Sequence, residues 1–451
     1  MEGESEVMSE RRNVLKIFEE KRDFMEDRIA SGIERNRKGL ARIEIVDEKG
    51  NPTKNVQIRV IQKTHDFKVG ANLFMLDEFE HEERNVAYRE LFADIFNIAT
   101  VPIYWSDLEP EQGRPRFGKD SPKVYRRPPV DLCLEYCEKH LIEPKAHCLN
   151  YANFTPKWLP HDIAGQKYYL EKRFSELGER YSRRIPSWEV TNETFWDWQR
   201  FRDTFSFYHA PDFVDWSFAT AARYFSNNRL IINEAGSRVW DGTFFYGTRS
   251  PYFMQIEQTI RNGGRIDSVG MQFHMFQRAE SEVRDSRQFY DPERIYDVLD
   301  TYAKFGKQIQ ITEVTFPAYG YEEENEEIQA EILKNIYSIW FSHPAMEAII
   351  YWNLVDGFAA FAPQGDMTAG ENYFHGGLVR NDFTPKPSFH LVKELFDKIW
   401  RTNLELFTEN GKVSFKGFFG DYKLEITVGG HQTTRFFHLG RETRAEWKII
   451  L

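Results

Sequence analysis

Two glutamates, each closing a short apolar run, are the residues best placed to do chemistry. Glu193 ends Ser187-Trp188-Glu189-Val190-Thr191-Asn192-Glu193, and Glu313 follows Gln308-Ile309-Gln310-Ile311-Thr312. β-branched and aromatic residues dominate both runs, so both read as strands. Two carboxyl groups facing one another across an anomeric carbon are the minimum equipment for cleaving a glycosidic bond. One protonates the leaving oxygen while the other meets the oxocarbenium-like centre. Taken singly, either glutamate reads equally well as a strand cap or a surface ion-pair partner.

Other polar residues gather at the ends of neighbouring runs. They are His147 with Tyr151, Asn192 beside Glu193, Asn233-Glu234, Gln272 with His274, and Trp352-Asn353. With Glu193 as acid/base and Glu313 as nucleophile, Asn192 would donate to the sugar 2-hydroxyl. His274 would donate to Glu313, fixing its rotamer and keeping it ionised. The carboxyls should lie about 5 to 5.5 Å apart if configuration is retained. Alone, His274 or His147 reads as a satisfied core histidine. No H-x-x-x-H or H-E-x-x-H spacing accompanies them, so neither a metal nor another cofactor is expected. Trp196 and Trp198, in the loop after Glu193, are candidate sugar platforms or lid packing.

The elements that must position these groups follow from periodicity. Strands are expected at Lys68–Phe74, Ile98–Ile103, Glu143–Asn150, Ser187–Asn192, Leu230–Asn233, Ser268–His274, Gln308–Thr315 and Ala348–Leu354. Helical patterns separate them, and eight β-then-α units at this length argue for a closed (β/α)8 TIM barrel, class α/β, over residues 67–400. Strand-tip carboxylates sit at the end where such barrels carry their active sites. Residues 1–39 read as an N-terminal helical segment and 40–66 as a β-hairpin. Residues 401–451 read as short strands that pack with the hairpin into a small β-sandwich, since neither half could bury a core alone.

Composition narrows the partners. The chain has 451 residues, 29 % charged and 16 % aromatic, with net charge −11 and no basic stretch, so nucleic acid is not expected. No apolar run reaches membrane-spanning length. Cys133, Cys137 and Cys148 are too few for a disulfide framework and read as buried thiols. The N-terminus lacks the apolar core of a secretory signal, which places the chain as written in the cytoplasm, or outside if a leader was removed. No oligomeric state follows from the sequence.

The motifs resemble glycoside hydrolase family 10, the retaining endo-β-1,4-xylanases. Trp188–Glu193 is similar to that family's Trp-Asp-Val-x-Asn-Glu, and Ile311-Thr312-Glu313-Val314-Thr315 to its Ile-Thr-Glu-Leu-Asp. Arg265–His274 resembles Arg-Ile-Asp-Gly-Val-Gly-Leu-Gln-x-His, Ala146–Leu149 resembles Gly-His-Thr-Leu, and Trp352–Asp356 resembles Trp-Gly-Val-Thr-Asp. The resemblance implies a retaining β-glycosidase acting on a xylan-like polysaccharide or oligosaccharide. The same chemistry on a β-glucan or decorated xylan, and a non-catalytic glycan-binding barrel, are the alternatives. Three departures bear on substrate. Thr100–Trp105 stands where the family has Glu-Asn-Glu-Met-Lys-Trp, Tyr151-Ala152-Asn153-Phe154 replaces Trp-His-Ser-Gln, and Ala360-Phe361 replaces a second Trp.

Overall fold

The structure, a computed structural model, describes residues 10–195, 200–201, 204–442 and 445–451. Fifteen strands are described: β1 Lys38–Val46, β2 Val56–Gln62, β3 Lys68–Asn72, β4 Ile98–Pro102, β5 Glu143–His147, β6 Ser187–Asn192, β7 Arg229–Glu234, β8 Ser268–His274, β9 Gln308–Thr315, β10 Met346–Tyr351, β11 Asn403–Thr408, β12 Lys412–Phe418, β13 Gly420–Val428, β14 His431–Leu439 and β15 Glu446–Ile450. Strands β3 to β10 form a closed barrel in chain order, with β10 returning to β3. Every neighbouring pair is parallel. Each strand is followed by a helix on the outside, so the expected (β/α)8 architecture is what forms.

Local chemistry explains the elements. Barrel strands are covered on both faces, and in β6 all six residues are buried. The helix Pro292–Ala303 begins with Asp291, whose carboxylate accepts from the Glu293 N–H, and with Pro at its first position. It buries Ile295, Val298, Leu299 and Tyr302, spaced three or four apart toward the barrel. The N-terminal segment is helical over Arg22–Asn36 and lies against the helix Glu323–Ser342. Gly32 permits that approach, since a Cβ there would meet the Ser342 carbonyl oxygen at 2.7 Å.

The accessory strands form two sheets, ordered β12-β1-β15 and β11-β2-β13-β14. Ala41, Ile43, Ile45, Val56, Ile58, Val60, Tyr422, Leu424 and Ile426 supply one apolar core to them. Both chain ends contribute to this sandwich, but residues 40–66 do not form a hairpin. β1 pairs with β12 and β15, whereas β2 pairs with β11 and β13. The turn between β1 and β2 carries the chain from one sheet to the other, so each strand buries its apolar face from opposite sides of a shared core. Strand β14 was not expected from the sequence; it pairs with β13 through a two-residue Gly429-Gly430 connection.

Candidate active site

Glu193 sits one residue beyond β6, and Glu313 sits near the C-terminal end of β9. Glu193 adopts a positive φ of 51°, a conformation that costs a non-glycine residue about 1 kcal/mol or more. Its surroundings hold it there. The Glu193 N–H donates to the Asn233 carbonyl at 3.2 Å, and Tyr208 Oη donates to the Glu193 carbonyl at 3.2 Å. The next residue, Thr194, donates from its N–H to Glu234 Oε2 at 2.7 Å.

One side chain connects the two carboxylates. Gln272 Nε2 donates to Glu193 Oε1 at 2.9 Å and to Glu313 Oε1 at 3.1 Å, which caps the separation of those two oxygens at about 6 Å. Tyr151 Oη donates to Glu193 Oε2 at 2.5 Å. Asn233 Nδ2 donates to Glu313 Oε1 at 3.2 Å and to Asn192 Oδ1 at 2.7 Å. Gly270 makes room for this arrangement inside the barrel, because a Cβ there would meet both Asn233 Oδ1 and Thr312 Cγ2 at 2.8 Å.

His274 Nε2 lies 3.2 Å from Glu313 Oε2, and its Nδ1 lies 3.0 Å from Thr315 Oγ1. With Thr315 donating to Nδ1, the proton on Nε2 is given to Glu313. The expectation that His274 keeps Glu313 ionised is corrected here. Burial lowers His274 to about 4, so at neutral pH it is an uncharged donor that sets a rotamer without supplying a cation. Burial pushes Glu313 up to about 8, with Glu189 and Glu193 acting in the same direction against His147 and Lys145.

A polar network lies beneath the pair. Lys145 and Glu189, both fully buried, form an ion pair, and Glu189 also meets His147 Nδ1. His147 Nε2 is 2.8 Å from Tyr104 Oη. Burial alone would raise Glu189, but Lys145 and His147 hold it down to about 2. His147, Glu189 and Glu313 lie close enough together to ligate a cation. Lys145 already supplies positive charge at that point, and both ring nitrogens of His147 are engaged.

Trp352, 7 % exposed, forms one wall, with its ring 5.7 Å from His274, 6.0 Å from His147 and 5.4 Å from Phe74. Tyr104 stacks on Phe154 at 4.0 Å, and the Arg127 guanidinium lies 4.1 Å over the Tyr104 ring. Of the ten sequence-derived site residues, the structure gathers Glu193, Glu313, Asn192, His147, Gln272, His274, Trp352, Asn233 and Tyr151 at one end of the barrel. Trp196, and Trp198 with it, lies outside the described residues. Phe74, Tyr104, Lys145, Glu189, Arg126 and Glu371 were not among the site residues drawn from the sequence. Glu189 lies inside a motif, Lys145 beside one, Phe74 at the end of an expected strand and Tyr104 in the segment after strand β4, so these four were within reach of sequence reasoning; Arg126 and Glu371 stand in runs without periodicity or motif.

An open cavity of about 680 Å³ lies at the opposite end of the barrel. Its charged lining is already paired, Lys68 with Glu143, Arg229 with Glu347 and Arg265 with Asp267, so it presents no reacting carboxylate pair.

Comparison with known proteins bears on this geometry. The family model described as glycosyl hydrolase family 10 matches residues 63–394. Endo-1,4-beta-xylanase B of Thermotoga neapolitana is 24 % identical over 345 residues, covering 74 % of this chain and 88 % of that protein. Anti-sigma-I factor RsgI6 of Acetivibrio thermocellus is 22 % identical over 408 residues, 87 % of this chain but 45 % of its own length. The solved structure of xylanase 10B from Thermotoga petrophila RKU-1 in complex with xylobiose aligns with a TM-score of 0.58 and 22 % identity. That alignment covers 74 % of this chain and 95 % of the other, a likeness of fold.

Proposed function

Because the chain belongs to glycosyl hydrolase family 10, we propose that it hydrolyses a β-1,4-linked, xylan-like glycan by double displacement, with Glu193 as acid/base and Glu313 as nucleophile. The observation that carries this reading is the shared Gln272 donor, which keeps the two carboxylate oxygens within about 6 Å. A ceiling of that size fits the about 5 to 5.5 Å of direct attack by one carboxylate better than the roughly 6.5 to 9.5 Å that an inverting enzyme needs to seat a water.

Glu193, protonated, gives its proton to the glycosidic oxygen as the C–O bond breaks. Glu313 attacks the anomeric carbon from the opposite face and forms a glycosyl ester. Water then gives a proton to the Glu193 carboxylate and attacks the same carbon, which releases Glu313 and restores the starting configuration. Donors from Asn233, Gln272 and His274 fix the attacking carboxylate. Asn192, with its oxygen held by Asn233, has its amide nitrogen available for the sugar 2-hydroxyl.

Replacing Glu313 with Gln should abolish hydrolysis of xylan while leaving the melting temperature and circular dichroism those of a folded chain. Retained turnover would remove Glu313 from the nucleophile's place.

The Tyr104–Phe154 stack favours a second reading, the same chemistry on another β-glycan. Polar groups that discriminate between sugar hydroxyls are replaced there by aromatic surface. Product analysis on xylan, decorated xylan and β-glucan decides between them, since only one should release oligosaccharides at a high rate.

A further inference from the structure

Three buried polar atoms beside Trp352 have no hydrogen-bond partner: Arg126 Nε, Arg126 Nη2 and Glu371 Oε2. Arg126 is 3 % exposed and takes a positive φ of 61°, a strained backbone that a loop keeps only when its surroundings require it. Its third nitrogen, Nη1, is used internally, donating to Asn353 Oδ1 at 2.9 Å and to the Phe358 carbonyl. That contact fixes the guanidinium over the Phe74 ring, 5.3 Å from its centroid, and leaves the Nε/Nη2 edge without a partner. This is the edge that binds two oxygens at once. Its nearest carboxylate of consequence is Glu371, yet no Arg126–Glu371 ion pair forms within 4.0 Å. Burial raises the Glu371 carboxyl, opposed chiefly by the Arg126 charge and more weakly by a hydrogen bond with Trp352, while Glu313 raises it further. Glu371 thus stands on the nucleophile's side of the site, with Trp352 and His274.

Buried donors and acceptors are rarely left unpaired in a folded protein, so three such atoms on two loops beside the site point to a ligand that satisfies them. We infer that Arg126 and Glu371 read adjacent hydroxyls of the sugar whose anomeric carbon Glu313 attacks, Arg126 donating to their oxygens and Glu371 accepting a proton from one of them. The inference rests on the hydrolase reading and deepens it. It assigns glycone discrimination to two loop residues at a place where the segment Thr100–Trp105 offers mainly apolar side chains. A uronic acid carboxylate would satisfy the Arg126 edge but would bring a second negative charge up to Glu371, so neutral hydroxyls fit the three atoms better.

The test uses the full chain with 4-nitrophenyl β-xylobioside, its singly deoxygenated glycone analogues, and 4-nitrophenyl β-glucuronide. The wild-type protein should lose on the order of 10- to 100-fold in kcat/KM on the analogue lacking a hydroxyl that is read. In Glu371→Gln and Arg126→Met that penalty, taken as the ratio of the two substrates within each variant, should shrink toward unity. Should Arg126→Met fail to fold, Glu371→Gln, which keeps the side-chain shape, decides alone. Deoxy penalties that are the same in wild type and Glu371→Gln would overturn the inference and leave the hydrolase reading standing. A preference for the glucuronide that is lost in Arg126→Lys would replace hydroxyl reading with carboxylate reading. A wild-type protein inert toward every aryl β-glycoside would bring down both.

Discussion

Tyr151 donates its phenolic proton to Glu193 Oε2 at 2.5 Å, and Asn153 Nδ2, donating to the same phenol at 2.7 Å, fixes its orientation. Burial and the neighbouring Glu193 push the Tyr151 ionisation far above the working range, so the phenol remains a donor. Hydrogen bonds to a charged group are worth about 1.5–3 kcal/mol. Tyr151→Phe should therefore lower kcat on xylan on the order of 10- to 100-fold. The loss on 4-nitrophenyl glycosides should be smaller, because their leaving group needs little protonation. Equal kcat for mutant and wild type on both substrates would remove Tyr151 from the acid/base apparatus.

The pH–rate profile should be displaced upward. In the proposed nucleophile role Glu313 must be ionised, and burial raises its carboxyl to about 8. The low-pH limb of kcat/KM, which reports the free enzyme, should then lie near neutrality or above it rather than between pH 4 and 5. A limb centred near 4.5 would mean that Glu313 is solvated or paired differently in solution.

Buried carboxyls should withdraw stability as pH rises. Burial raises Glu234 to about 8, against donors from Ala235 and Thr194, and Glu313 shifts the same way. Such a group favours the folded state fully below its unfolded value near 4.5, and that contribution is lost as pH rises through about 8. The share of stability that these carboxyls supply should decline between pH 5 and 8, so Glu234→Gln should make the melting temperature fall less, or rise more, across that window than it does in the wild type. An unchanged slope in the variant would show that Glu234 does not titrate in this window.

Breaking the ion pair beneath the site should be costly. Lys145→Met leaves Glu189 buried without its counter-charge, a loss of about 3–5 kcal/mol. Adding Glu189→Gln should return a large part of that stability, although His147 would lose its orienting carboxylate and activity should not recover. Chemical denaturation of the two variants measures both outcomes; an additive double mutant would contradict a coupled pair.

The barrel was legible because its strands are buried on both faces, so β-branched runs such as Gln308–Thr315 recur at intervals filled by helical patterns. The strand-tip residues followed from that placement. Strand pairing in the accessory sandwich was not legible. The segment Ala41–Val60 reads locally as strand, turn and strand, but its partners come from residues 403–450, and only the shared core decides which sheet each joins. Strand β14 carries few buried residues and so has no apolar alternation to read, although the Gly429-Gly430 pair signalled its turn. Arg126 and Glu371 lie in loops after different strands, and only closure of the barrel brings them to one wall. The ionisation of His274 depends on how deeply it is buried, which spacing along a chain does not reveal.

The stereochemistry of the first product tests the Glu193–Glu313 assignment most directly. Proton NMR during early hydrolysis of a β-linked xylo-oligosaccharide resolves the new reducing end before mutarotation mixes its anomers. Double displacement at carboxylates held within about 6 Å yields the β-anomer first. An α-anomer as first product would require a water between the two glutamates and would contradict Glu313 as nucleophile.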